Sequence, residues 1–126
     1  MPKILIVDDS APMRASMRTM LEAIGHEVIE AGDGSEGLRK LKQSTDCELA
    51  FVDVNMPVMD GLTMIQTVIV NEYGSYPDIP FVVLTTEDNP QAISIAKVAG
   101  VKGWCIKPIK QDVVEKLVSH ILSKQK

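Results

Sequence analysis

Five side chains able to do chemistry stand where apolar runs stop. Asp8 and Asp9 follow Ile4-Leu5-Ile6-Val7. Asp53 closes the run that begins at Leu49, Thr85 follows Phe81–Leu84, and Lys107 ends the run from Gly103. Brought together, three carboxylates and one ammonium would leave about two negative charges. Like charges roughly 4 Å apart repel by about 4 kcal/mol at an effective dielectric of about 20. An arrangement that costly is best explained by a bound cation. Hard carboxylate oxygens with no His or Cys nearby select Mg²⁺ over zinc. A carboxylate beside such an ion can attack phosphorus and form an aspartyl phosphate. The ion and Lys107 would neutralise the developing phosphoryl charge, and Thr85 would hydrogen-bond a phosphoryl oxygen. Asp53 is the best nucleophile because its strand lies in the middle of the sheet. Each piece alone has an ordinary structural reading, as a turn, a helix cap or a surface lysine. Their recurrence at equivalent ends of successive elements is the specific signal.

The elements that must position these groups alternate along the chain. Lys3–Val7, Glu27–Ala31, Leu49–Val54, Phe81–Leu84 and Gly103–Lys107 read as strands, nearly continuous apolar runs of the kind buried on both faces. Met13, Met17, Met20, Leu21 and Ile24 mark a first helix, with Pro12 in its first turn and Gly25 at its end. Asp33-Gly34-Ser35 caps a second, carrying Leu38 and Leu41. Leu62, Ile65, Val68 and Ile69 mark a third. Asn89 and Pro90 open a fourth with Ile93, Ala96 and Val98 inside it, closed by Gly100. Val114, Leu117, Val118, Ile121 and Leu122 give the last helix its stripe, behind a poor N-cap at Lys110 and Gln111. Residues 55–61 and 73–80 read as loops. This alternation predicts an α/β fold, a five-stranded parallel sheet with helices on both faces and right-handed crossovers. In such sheets the site lies at the carboxyl ends of the strands, where the five residues stand.

Composition narrows the alternatives. The 126 residues are 45% hydrophobic and 24% charged, ordinary for one soluble domain, and the net charge is −4. The acidic balance argues against nucleic acid and anionic membranes as partners. No apolar run is long enough for a signal peptide or a membrane span. The two cysteines, Cys47 and Cys105, belong to no metal or redox motif, which fits a reducing, cytoplasmic setting.

The sequence resembles a response-regulator receiver domain, the phosphoacceptor module of two-component signalling. Ile4-Leu5-Ile6-Val7-Asp8-Asp9, Val52-Asp53-Val54-Asn55-Met56-Pro57-Val58-Met59-Asp60-Gly61, Leu84-Thr85 and Lys107-Pro108 carry the resemblance, which spans residues 1–126. It implies a flavodoxin-like (βα)5 doubly wound fold with strand order 2-1-3-4-5. It implies phosphorylation at Asp53, the donor being a histidine-kinase phosphohistidine or a phosphotransfer protein. Mg²⁺ would be held by Asp9 and Asp53 directly, by Asp8 partly through water, and by the backbone carbonyl of Asn55. Thr85 would be the switch hydroxyl and Lys107 the phosphoryl partner, with a cis Lys107–Pro108 bond. Asn55 and Glu87, each two residues beyond a site residue, would tune the lifetime of the acyl phosphate. The module would not be a turnover enzyme but a switch that catalyses its own phosphorylation and dephosphorylation.

Trp104 departs from the family, which usually carries Tyr or Phe three residues before the lysine. The larger indole is expected to stay partly exposed. Only Ser123-Lys124-Gln125-Lys126 follow the last helix, so no output domain is expected. Output would pass to a downstream protein through a surface on the fourth helix, fifth strand and fifth helix, with Trp104, Ile106, Ile109 and Val113 on it. Two rivals differ in class. A Mg²⁺-dependent phosphohydrolase working through an aspartyl intermediate would want an acid two residues past the nucleophile, where Asn55 stands. A receiver-like binding scaffold would not need the five-residue set. A flavin site is weaker, as no phosphate loop follows the first strand.

Overall fold

Side chains alternating between two covered faces build the sheet. The computed structural model describes residues 3–44, 46–54, 61–70, 79–86, 91, 94, 97, 98 and 100–123. Its elements are β1 (Lys3–Val7), α1 (Ala11–Glu22), β2 (Glu27–Ala31), α2 (Gly34–Gln43), β3 (Cys47–Asp53), α3 (Gly61–Val70), β4 (Phe81–Thr85), β5 (Gly103–Ile106) and a C-terminal helix (Gln111–Ser123). The strands pair in parallel in the order β2-β1-β3-β4-β5, as expected. Successive side chains leave opposite faces of a strand. Ile4, Ile6, Leu49, Phe51, Val82 and Leu84 therefore pack with Met17, Leu21, Val114, Val118 and Ile121 of α1 and the C-terminal helix. Leu5, Val7, Ala50, Val52, Phe81 and Val83 pack on the other face with Leu38, Leu41, Met64, Ile65 and Val68 of α2 and α3.

Local chemistry fixes the helix ends. Ser10 caps α1, its Oγ accepting from the Met13 N–H at 3.3 Å. Asp33 caps α2 by accepting from the Glu36 N–H at 2.8 Å. Gly25, at φ +89°, ends the α1 turn in a conformation that favours glycine. The C-terminal helix closes its first turn with the Val114 N–H on the Lys110 carbonyl. Its Gln111 amide reaches the Met20 carbonyl at 3.1 Å and ties it to α1.

Several expectations need correction. β3 begins two residues earlier than Leu49, β4 takes in Thr85, and β5 stops at Ile106, leaving Lys107 just beyond it. Only β1, β3 and β4 are buried almost throughout. The edge strand β2 is half-exposed, and β5 alternates, with Trp104 and Ile106 outward. In α3 the buried residues include Met64, whereas Ile69 is 50% exposed. That helix carries no charged residue, and its polar Thr63 and Gln66 lie on the exposed side. The expected loops at residues 55–60 and 73–78 and the fourth-helix residues Asn89, Pro90, Ile93 and Ala96 lie outside the described residues. Gln91, Ser94, Lys97 and Val98 of that stretch are helical, and Val98 is exposed.

Cys47 and Cys105 are free and buried. Burial pushes the Cys47 thiol up and the Cys105 thiol up to about 11. Both should resist Ellman's reagent at pH 8 in the folded chain and react once it is unfolded in guanidinium; a native thiol that titrates at once would contradict the packing. Because the folded value lies above the unfolded one, the contribution of Cys105 to stability is complete below about pH 8.5 and fades toward pH 11. A Cys105→Ala chain should lose less stability across that window in denaturant titrations.

Candidate functional site

The strand register brings the acidic residues to one rim. Val7 pairs with Val52 across β1 and β3, so the next residues, Asp8 and Asp53, lie opposite each other. By alternation they continue the rows of Ile6 and Phe51 toward α1 and the C-terminal helix. Lys107, two beyond Cys105, continues the corresponding row of β5. The Lys107 N–H donates to the Thr85 carbonyl at 2.8 Å, fixing that backbone against the end of β4. The Lys107–Pro108 bond is cis, as the resemblance implied.

The Lys107 ammonium lies 3.2 Å from Asp8 Oδ2 and 3.5 Å from Asp53 Oδ2. Asp8 and Asp53 are buried and Asp9 is exposed. Asp8 Oδ1 accepts from the Ser10 N–H at 2.9 Å. Each of the three aspartates offers a carboxylate oxygen within 4.8 Å of the others'. Two oxygens bound to one Mg²⁺ at about 2.1 Å lie at most about 4.2 Å apart. The trio therefore needs only small side-chain movements to share an ion, and its all-oxygen donors suit a hard cation. One ammonium against three carboxylates leaves the pocket electronegative.

Thr85 is buried one residue past the partner of Asp53, since Asp53 pairs with Leu84. Its hydroxyl rests 3.4 Å from the Thr86 carbonyl. By alternation it belongs to the row of Phe81 and Val83, the opposite face from Asp53. Asn55 and Glu87 lie outside the described residues. Trp104, Ile106 and Val113 are 39%, 41% and 40% exposed. The Lys97 ammonium stands 4.5 Å from the Trp104 ring centroid, within reach of a cation–π contact. Ile109, expected on that surface, is instead half-buried and packs against the core layer beneath α1 and the C-terminal helix.

Two residues were given no role by the sequence reading. Arg14 donates from Nη1 to the Asp8 carbonyl at 2.6 Å and from Nε to Glu30 Oε1 at 3.1 Å. Arg18 donates to Glu30 Oε2 at 2.7 Å, and this bond chiefly, opposed by burial and aided by Arg14, holds the Glu30 carboxyl below its usual range. Two arginines four apart on one helix, ahead of a glutamate on the next strand, were the available signal. Gly61 sat within a recognised motif, but its reason is steric. A Cβ there would fall 2.1 Å from the Asp53 carbonyl oxygen, so α3 can begin against Asp53 only through glycine.

The chain belongs to the response-regulator receiver domain family, whose model matches residues 4–119. It is 33% identical to chemotaxis protein CheY1 of Helicobacter pylori over 121 residues, 95% of this chain and 96% of that protein. A CheY homologue of Campylobacter jejuni is also 33% identical, over 95% of this chain and 92% of its own length. The solved structure of chemotaxis protein CheY4 of Vibrio cholerae is 34% identical, with a TM-score of 0.84 over 96% of this chain and 98% of that one. Receiver domains act as phosphoacceptor switches in two-component signalling and typically bind Mg²⁺ at an acidic cluster. Among the described residues no helix is long and apolar enough to cross a membrane.

Gly61→Ala should force the start of α3 off Asp53. A loss of about 1–3 kcal/mol of stability is expected in urea unfolding, and an unchanged midpoint would refute the close approach.

Proposed function

We propose that Asp53 accepts a phosphoryl group from a histidine-kinase or phosphotransfer-protein phosphohistidine in the cytoplasm, and that this shifts the affinity of a protein-binding face. The observation that carries the reading is the Lys107 ammonium lying between buried Asp8 and Asp53 inside an acidic trio. A carboxylate oxygen of Asp53 attacks phosphorus as the N–P bond to the donor imidazole breaks, and the imidazole keeps the electron pair. Lys107 orients the Asp53 carboxylate before transfer and pairs with the phosphoryl oxygens after it. Asp8, Asp9, Asp53 and the Asn55 carbonyl would hold Mg²⁺, which when bound neutralises phosphoryl charge. Asn55 and Glu87 would govern how water reaches the acyl phosphate.

Thr85 carries the signal. Among the described residues its hydroxyl has only a long bond to the Thr86 carbonyl to give up when it turns to a phosphoryl oxygen. Thr85 pairs with Ile106 and Val83 with Trp104, so these residues share a sheet face. Movement of Thr85 is felt first by Ile106, then by Trp104. The output face then comprises Trp104, Ile106 and Val113, with Ile109 supporting it from below. This is a population shift between two packings.

Intact-mass analysis with acetyl phosphate tests the chemistry. One base-labile phosphoryl adduct is expected, dependent on Mg²⁺ and absent in Asp53→Asn. An adduct that forms without Mg²⁺ or survives that substitution would overturn the reading, and multiple turnover of a phosphomonoester would favour a phosphohydrolase. Coupling to the face is tested by the emission of Trp104, the only tryptophan. It should change when acetyl phosphate and Mg²⁺ are added, stay constant in Asp53→Asn, and change less in Thr85→Ala. Full adduct formation with silent emission would detach the face from the site.

A further inference from the structure

The Asp9 carboxylate reaches its two neighbours with no visible support. Among the described residues nothing hydrogen-bonds to it or pairs with it, yet it is exposed and lies within 4.8 Å of the buried carboxylates. Its place must come from the backbone. The peptide joining Asp8 to Asp9 is planar, so fixing its oxygen fixes the direction in which Asp9 leaves the chain. That oxygen accepts the Arg14 Nη1 bond at 2.6 Å. Glu30 holds the guanidinium from β2 through Nε, and the Arg14 N–H is itself bonded to the Ser10 carbonyl at 3.0 Å. On the other side the Asp8 N–H is bound to the Ala31 carbonyl.

Resting on the metal reading above, we propose that Arg14 is a positioning residue for the metal site. Clamped by Glu30, it holds the Asp8–Asp9 peptide so that Asp9 is aimed at the trio before an ion arrives. The sign of the effect separates this role from simple charge. A guanidinium beside an acidic pocket repels a cation, so on electrostatics alone its removal would tighten Mg²⁺ binding. Loss of positioning weakens it, by about tenfold for groups that orient ligands from behind.

Arg18 supplies the control. It shares Glu30 and ties α1 to β2 through the Val28 carbonyl, but makes no described bond to Asp8. Mg²⁺ affinity by isothermal titration and the thermal midpoint in EDTA would be measured for the parent chain, Arg14→Met, Arg14→Lys and Arg18→Met. The expected result is an affinity about tenfold weaker in Arg14→Met, partly regained in Arg14→Lys, and unchanged in Arg18→Met even where its midpoint falls. Equal or tighter binding by Arg14→Met would overturn the role, as would equal weakening by Arg18→Met, since that would make the effect one of general stability. A parent chain that binds no Mg²⁺ would sink the metal reading itself and the role with it.

Discussion

The contact on which the arrangement depends is the ammonium of Lys107 between Asp8 and Asp53. Two carboxylates taken out of water at neighbouring strand ends repel each other, and an opposite charge close by offsets that repulsion. At 3.2 and 3.5 Å, one lysine serves both. The attraction to each is comparable to the repulsion between them, so the pair is held without the pocket becoming neutral. Asp9 adds a further charge at the open side. The result is a rim where carboxylates outnumber the ammonium, a group that could hold a metal ion.

That contact constrains the sheet. Lys107 follows β5, while Asp8 follows β1, three strands away across β3 and β4. In the order β1-β3-β4-β5, with all four strands parallel, one side chain reaches both acids. Burial follows from the same order. β1 and β3 are covered on both faces, so the residues at their ends inherit low exposure. The half-covered edges supply what the centre cannot. β2 offers Glu30 to the arginines of α1, and β5 presents Trp104 and Ile106 outward.

Much of this was legible in the sequence because strand ends are marked by abrupt changes of polarity. Asp8, Asp53, Thr85 and Lys107 each stop an apolar run, and placement at carboxyl ends followed from the parallel fold. Boundaries slipped by one or two residues where polarity changes gradually, as at Cys47-Glu48, which open β3. In α3 the exposed Thr63 and Gln66 mark a polar side, but nothing in so apolar a stretch told Met64 from Ile69 as the inward residue. Ile109 looked like surface because nothing local reports the α1 layer it packs on. Arg14 was missed for a related reason. Its role depends on a backbone carbonyl six residues upstream and a glutamate sixteen residues downstream, which only the packing of α1 against β2 joins.

The two faces of the sheet give the site its directionality. Asp8, Asp53 and Lys107 continue rows on the face covered by α1 and the C-terminal helix, while Thr85 continues a row on the other. A group bonded to both Asp53 and Thr85 would bridge the end of the sheet. Thr85 is in register with Ile106, and Ile106 directly precedes Lys107. A pull on the hydroxyl and a pull on the ammonium would therefore act on adjacent residues at the end of β5, Ile106 and Lys107, from opposite faces. A packed interior does not absorb such a torque continuously, because its side chains occupy discrete rotamers at near-crystalline density. The exposed end of β5, with Trp104 and Ile106 lacking full cover, is where the strain can be relieved by repacking. Under the proposed switch, the departure from the usual aromatic at position 104 would change the size of the responding group and leave the path that reaches it unaltered.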